Sequence, residues 1–264
     1  MDLQLTNKRA LVTGSTLGIG FSIASALVRE GAEVIITGRT QTRVDEAIAK
    51  LKQQTPGARV QGFAGDLAHN DAVTALTKQF PQIDILINNL GIYGPKPFGE
   101  ISDDEWQQFI DTNFMSGLRL SRFYLPQLLE RDWGRIVFIA SESAFDIPGE
   151  MIHYGVTKTM QVALARGLAK LCKGTRVTVN SLLPGPTRSE GVDTFIRDVA
   201  RENGIDAEQA EKEFFSNTRP NSLLQRFATT DEVAAFATYL VSPLAAATNG
   251  AAPRCDGGII NSLQ

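Results

Sequence analysis

Cysteine, histidine and any surplus of positive charge are what this chain lacks. It holds two cysteines, Cys172 and Cys255, and two histidines, His69 and His153, in 264 residues. The cysteines lie far apart without a paired spacing, which argues against a disulfide framework and suits a reducing compartment. The histidines are too few and too scattered to complete a ligand set, so no metal site is expected. Lys and Arg total 26 against 29 Asp and Glu, for a net charge of −3. Such a balance offers neither the field that draws nucleic acid nor a polybasic patch for a membrane surface. The start, Met-Asp-Leu-Gln-Leu-Thr-Asn-Lys, has no apolar signal-peptide core, and no apolar run approaches membrane-spanning length. A cytoplasmic location is the expectation. Linkers, repeats and low-complexity tracts are missing as well, and the composition, 43% hydrophobic and 21% charged, is ordinary for a globular protein. Residues 1–264 read as a single domain.

What is present is an alternation of strand and helix with polar clusters at the strand ends. A strand from Arg9 to Thr13 feeds into Gly14-Ser15-Thr16-Leu17-Gly18-Ile19-Gly20, and a helix from about Ile19 to Glu30 follows, stopped by Gly31. In that context glycines let the backbone approach a pyrophosphate, and the helix amino terminus supplies donors and positive dipole for it. The next strand, Glu33 to Thr37, ends at Gly38-Arg39. A carboxylate there would hold the adenosine ribose, whereas an arginine accommodates the extra phosphate of NADP. Position 38 has no carboxylate and Arg39 follows at once, so NADP(H) is favoured over NAD(H), although an arginine after a strand can also be only a solvated end.

Further alternation gives helix Arg43 to Lys52, strand Arg59 to Phe63, helix Asp71 to Phe80 and strand Ile83 to Ile87. This order predicts a doubly wound α/β fold, Rossmann-like, with a parallel sheet of about seven strands and helices on both faces. Ligands then lie at the carboxyl ends of the strands. Asp66-Leu67 and Asn88-Asn89-Leu90-Gly91 fall at such ends, the first able to meet an adenine amine, the second readable as a plain loop start. A long helical region from about Asp103 to Glu130 carries Asn113, a polar residue that either faces water or is held for a reason.

The stretch Gly134 to Lys158 carries the candidate chemistry. A buried strand, Arg135 to Ala140, stops at Ser141, and after a loop with Pro148 and Gly149 comes Tyr154-Gly-Val-Thr-Lys158, the start of a helix running to Leu171. Four residues apart, Tyr154 and Lys158 share one helix face. A phenol, with a reference pKa of about 10, is a poor acid–base catalyst near neutrality, and a fixed ammonium nearby favours the phenolate. Ser141 can hydrogen-bond the same substrate oxygen. With four Tyr and nine Lys in the chain, the pair alone says little. Its weight comes from the serine thirteen residues upstream and from the glycine loop.

Taken together, Thr13-Gly14-x-x-x-Gly18-x-Gly20, Asp66, Asn88-Asn89-x-Gly91, Asn113, Ser141, Tyr154-x-x-x-Lys158 and Pro184-Gly185 resemble the short-chain dehydrogenase/reductase family, in its order and spacing across about residues 8 to 258. One departure is Leu90, where the family has alanine. The resemblance implies Tyr154 as general acid–base, Lys158 as its electrostatic partner and nicotinamide-ribose ligand, Ser141 as donor to the substrate oxygen, and Asn113 as holder of a water linking Lys158 to solvent. Gly14, Ser15, Thr16, Gly18, Ile19, Gly20, Arg39, Asp66, Leu67, Asn88, Gly91, Pro184, Gly185, Thr187 and Ser189 become the expected cofactor cradle, with Thr187 offering backbone contacts to the carboxamide and Ser189 a hydroxyl. Three residues between Tyr154 and Lys158 separate the chain from the superfamily's enoyl reductases, which have six there. The resemblance also implies a homotetramer.

After a strand from Arg176 to Leu182, residues 190 to 226 interrupt the rhythm with two short amphipathic helices. Val192, Phe195, Ile196 and Val199 form one apolar face, and Ala207, Ala210 and Phe214 the other, with Gly204 between them. An insertion of this length beside a ligand site reads as a substrate lid, or else as a packing arm of an oligomer. A last helix, Asp231 to Leu240, and a strand near Pro253 to Asp256 finish the sheet. The expected activity is NAD(P)(H)-dependent transfer of hydride to or from a carbonyl or alcohol carbon. Tyr93, Phe98, Phe145, Ile147, Met151 and Phe195 point to a medium-sized, largely apolar substrate, including a 3-oxoacyl thioester. Eight acidic against five basic residues in the lid disfavour a strongly anionic carrier. The other class of reading is a nucleotide-sensing or scaffold protein on the same fold, against which the intact Asn113, Ser141, Tyr154 and Lys158 set counts.

Overall fold

Short runs of branched apolar residues, buried on both faces, make the strands; the sequence EVIITG, for instance, is covered throughout its centre. In the computed structural model, which describes residues 1–262, the strands in chain order are β1 (Arg9–Val12), β2 (Glu33–Gly38), β3 (Val60–Ala64), β4 (Ile85–Asn88), β5 (Gly134–Ile139), β6 (Val177–Pro184), β7 (Thr187–Arg188), β8 (Ala228–Thr229) and β9 (Arg254–Cys255). Seven of them form one parallel sheet in the order β3-β2-β1-β4-β5-β6-β9, while β7 and β8 pair separately. The helices between them are α1 (Gly18–Arg29), α2 (Gln41–Gln54), α3 (Asn70–Gln79), α4 (Asp103–Phe109), α5 (Ser116–Glu130), α6 (Ile152–Leu171), α7 (Glu190–Asn203), α8 (Ala207–Glu213) and α9 (Thr230–Leu240). They close the sheet into two cores, one built around Ala10, Val12, Ile23, Val34 and Ile85, the other around Leu11, Ile35, Leu86, Leu120 and Phe138. The doubly wound fold expected from the alternation is the fold observed.

One detail departs from the sequence reading, and one is unusual for a buried strand. The region from Asp103 to Glu130 is not one uniform α-helix, because residues Ile110–Met115 widen into a π turn between α4 and α5. And β5 opens with a buried arginine: Arg135, 2% exposed, donates to the carbonyl oxygens of Ser242, Gly134 and Arg176 and lies over the Trp133 ring. Its charge is met by backbone dipoles and a π face, which is how a buried guanidinium is tolerated.

Candidate active site

Strand order reverses between β1 and β4, the place where the carboxyl ends of a doubly wound sheet leave a crevice. Gly14 and Gly18 turn there with φ of +59° and +58°, a left-handed conformation that disfavours side chains. Gly20 is required by proximity: a Cβ on it would sit 2.4 Å from Asn89 Nδ2 and 2.5 Å from the Gly14 oxygen. That Asn89 amide donates to the carbonyl oxygens of Thr13 and Gly14, each at 2.9 Å, while Thr13 Oγ1 accepts from the backbone N–H groups of Asn89 and Leu90. Asn89, readable in the sequence as a loop start, thus ties the two crevice loops together. Leu90, the departure from the family pattern, turns its side chain into the second core.

The loop is stiff from within. Ser15 is fully buried, its Oγ donating to Val12 O at 2.6 Å and accepting from Thr37 N at 3.0 Å, so its hydroxyl is already committed. Ile19 packs partly buried against the first core. Helix α1 begins with no side-chain cap at Leu17 and no acidic residue in its first turn, leaving that turn electropositive. Across from it, a Cβ on Gly18 would lie 3.7 Å from Ser189 Cβ, and Ser189 caps α7 through Val192 N. Gly185, after Pro184 at the end of β6, passes so close to Asp256 that an added Cβ would lie 2.6 Å from its carbonyl oxygen, and Thr187 Oγ1 donates to Gly185 O at 2.9 Å. Tightly packed glycine turns that bring bare backbone to an uncapped helix amino terminus fit a dinucleotide. At the adenosine end, a side chain at Gly38 would strike the Thr16 methyl at 2.6 Å, Arg39 stands exposed beside it, and the half-buried Asp66 accepts from Ala68 N ahead of the buried Leu67. Asn88 instead points its amide at Ser121 on α5, at 3.3 Å, with Oδ1 buried and unpartnered.

Helix α6 brings Tyr154 and Lys158 onto one face, the Lys158 Nζ 5.5 Å from the Tyr154 ring centroid. Lys158 is buried and donates to Ile139 O at 2.9 Å and to Gln161 Oε1 at 3.4 Å. A Cβ on Gly91 would lie 3.4 Å from the same Nζ. Gln161 Nε2 donates in turn to the Asn113 carbonyl in the π turn. The Gln161 side chain thus bridges Lys158 and the Asn113 carbonyl. The Asn113 side chain is itself held: Oδ1 accepts from Ile92 N at 2.7 Å, and Nδ2 donates to Ile92 O and Thr157 Oγ1, each at 3.0 Å. Thr157 Oγ1 donates to Tyr154 O at 2.8 Å, closing the network.

Burial, reinforced by the nearby Glu142 and Tyr93, holds the Tyr154 phenol above the usual tyrosine range, with its hydrogen bond to Ser141 opposing. The same burial brings Lys158 down to about 8 against the pull of Glu142. Desolvation disfavours the charged forms of both groups. Ser141 ends β5, accepts from Ser143 N at 3.1 Å and is hydrogen-bonded to Glu142 Oε2. Glu142, only 7% exposed, has its carboxyl pushed above the ordinary range by burial. Of the expected pocket residues, Tyr93, Phe98, Phe145, Ile147 and Phe195 are exposed and Met151 is half-buried, and the Tyr93 ring meets Tyr154 edge-on at 6.3 Å. A wider cleft of about 580 Å³ runs from Gly18 along α1 to Arg29 and includes neither Tyr154 nor Ser141.

Residues 8–199 match the model of the family described as short chain dehydrogenase. The chain belongs to the short-chain dehydrogenase/reductase family. YvaG of Bacillus subtilis (strain 168), an uncharacterized oxidoreductase, is 46% identical over 263 residues that cover all of both chains. A D-beta-hydroxybutyrate dehydrogenase of Cupriavidus necator is 33% identical over 258 residues, 96% of this chain and 98% of its own. Among solved structures, L-sorbose reductase from Gluconobacter frateurii, complexed with NADPH and L-sorbose, superposes with a TM-score of 0.93 at 29% identity over the whole of both chains. This short-chain dehydrogenase/reductase is accordingly an NAD(P)-dependent oxidoreductase. Reading the sequence missed two polar groups that the fold bonds to Ser141 and Lys158, namely Glu142 and Gln161. The only local signal was a carboxylate directly after a strand-end serine and an amide three residues past the lysine.

Proposed function

We propose that this enzyme interconverts a ketone and the corresponding secondary alcohol, using NADP(H) in preference to NAD(H). The observation that carries the reading is the bonded network joining Lys158, Asn113 and the Tyr154 backbone carbonyl, set beside Ser141 at the carboxyl end of β5. Bound in that cradle, the nicotinamide supplies or accepts the hydride. The chain's own part is the proton and the charge. Tyr154 gives its phenolic proton to the substrate oxygen in reduction and takes it back in oxidation, Ser141 donates a hydrogen bond to the same oxygen, and Lys158 places positive charge beneath Tyr154 and holds the ribose. Asn113 and Gln161 fix Lys158. Gly14, Ser15, Thr16, Gly18, Ile19, Gly20, Asp66, Leu67, Asn88, Gly91, Pro184, Gly185, Thr187 and Ser189 are the proposed cradle, and Arg39 is the proposed 2′-phosphate ligand.

Exposed apolar groups around Tyr154 support a medium-sized substrate with an apolar body, a 3-oxoacyl thioester included. A sorbose reductase and a hydroxybutyrate dehydrogenase among the relatives are in keeping with carbonyl–alcohol interconversion. Residues 190 to 226 are the proposed lid. A panel of ketones and secondary alcohols, followed by nicotinamide absorbance with both cofactors, tests the reading. Ketone reduction faster with NADPH than with NADH is expected, and no turnover of any member with either cofactor would overturn it.

A further inference from the structure

We propose that Glu142 acts as a neutral, hydrogen-bond-donating acid that fixes the direction of the Ser141 hydroxyl, and is thereby a positioning residue for carbonyl reduction. This rests on the role proposed above for Ser141 at the substrate oxygen. The geometry is a count of hydrogens and lone pairs. Ser141 Oγ already accepts from Ser143 N at 3.1 Å and is joined to Glu142 Oε2. Glu142 Oε1 accepts from Ser143 Oγ at 3.3 Å.

If Glu142 is ionised, both its oxygens only accept. Ser141 must then give its one hydrogen to Oε2 and has none for the substrate. If Oε2 carries a proton, it donates to Ser141 Oγ, both lone pairs of Oγ are filled, and the Ser141 hydrogen is turned toward its other partner, the Tyr154 phenol, and toward a substrate oxygen held between them, where negative charge develops.

The surroundings favour the neutral form on geometry. Glu142 is 7% exposed, and among the described residues no cation lies within ion-pair distance of it. The groups facing it come from several elements. Ser141 and Ser143 flank it, Tyr154 and Lys158 face it from α6, and Arg219 approaches from the chain after α8. Arg219 is paired with Glu150 at 3.1 Å and also donates to Thr218 O. Asp146 and Glu150 share with Glu142 the wall of a cavity of about 100 Å³, which offers a route for proton exchange with solvent. Burial raises the carboxyl above its ordinary range, with the hydrogen bonds of Ser141 and Ser143 and the charge of Arg219 opposing, and when Glu142 is neutral the shifts of Tyr154 and Lys158 rest on their own burial.

Glu142→Gln is the discriminating variant. A glutamine keeps an acceptor for Ser143 and always donates to Ser141, so it imitates the neutral acid and cannot titrate. Expected is the loss of one descending step from the pH profile of reduction, leaving the descent that belongs to Tyr154 and Lys158, with a kcat above that of Glu142→Ala. Glu142→Ala should lower kcat about tenfold, the scale of one lost hydrogen bond, with the cofactor KM unchanged. In a Ser141→Ala background, Glu142→Gln should have no further effect on the profile, since Glu142 acts through Ser141. Superimposable pH profiles for wild type and Glu142→Gln, or a loss in Glu142→Gln as large as in Glu142→Ala, would overturn the assignment.

Infrared difference spectra between wild type and Glu142→Gln supply a readout without turnover. A protonated carboxyl band at neutral pH, absent from the variant, is expected, and its absence from wild type overturns the proposal even if the variants fold poorly. The two readings fail separately: the band without any carbonyl turnover counts only against the proposed function, whereas turnover without the band counts only against Glu142.

Discussion

Tyr154 and Lys158 act on different molecules although they share one helix face, and substitutions should separate them. Tyr154→Phe removes only a hydroxyl that serves the substrate, so kcat should fall by about two orders of magnitude or more, the range of positioned acid–base catalysis, while NADPH binding by fluorescence titration stays near wild type. Lys158→Ala should lower both turnover and cofactor affinity, and unchanged affinity would remove its ribose role. Because burial brings Lys158 to about 8, its charge is present below that pH and lost as pH rises through it. Cofactor binding in wild type should weaken over the same interval. Arg39, exposed beside a Gly38 that has no room for a side chain, gives a third test. Arg39→Ala should weaken NADP(H) by about tenfold or more, as expected for a charge-assisted contact, and leave NAD(H) unchanged. Equal loss on both cofactors would show Arg39 to be a solvated strand end.

Helices α7 and α8 were legible as two amphipathic segments, and Gly204 does terminate α7 in a left-handed conformation. What their spacing did not reveal is the partner of each apolar face. Ile196, Ala200 and Ala210 pack with Phe215 and Phe227 into a small core of their own, while Phe195 remains 45% exposed. A segment with its own core can move as one body over the site. Hydrogen exchange across Val192 to Phe215 should therefore slow markedly on adding cofactor with substrate, with little change in β4 and β5. Full protection in the free protein would instead favour an arm packed on a neighbouring subunit. The π turn at Ile110–Met115 was not legible at all. It coincides with Asn113 being bonded to Ile92 and Thr157, residues 21 and 44 positions away, and no helical period encodes such partners.

Stability of the whole molecule carries a mark of His153, the residue before Tyr154. Its ring lies 4.0 Å from that of Phe109 and 6.0 Å from that of Trp106, joining α6 to α4, and Nδ1 is buried without a partner. Burial lowers its pKa, with Glu105 opposing and Lys96 assisting. A depressed histidine binds fewer protons folded than unfolded below its ordinary pKa. Its contribution to stability is therefore intact above about pH 6.5 and declines as pH falls below that, by at most about 1.4 kcal/mol per pH unit. Urea midpoints at about pH 7.5 and about pH 5.5 should differ more in wild type than in His153→Phe, which cannot titrate. An equal difference in both proteins would assign the acid sensitivity to other groups.

The sequence by itself determined what depends on local period and spacing. Glycine positions in the first turn, the strand–helix alternation, the parallel sheet that alternation demands, and the placing of Tyr154 and Lys158 on one helix face all follow from residues within a few positions of each other. The tertiary structure decided what depends on residues brought together from afar. Asn89 binds the loop of Thr13 because β1 and β4 are neighbours in the sheet, and Gln161 reaches Asn113 because α6 packs on the π turn. Above all, whether a carboxyl or an amine keeps its charge is set by how much water the fold removes from it. Spacing puts Tyr154 and Lys158 on one helix face, whereas it is the fold that withdraws water from them and from Glu142 and so shifts all three against their charged forms.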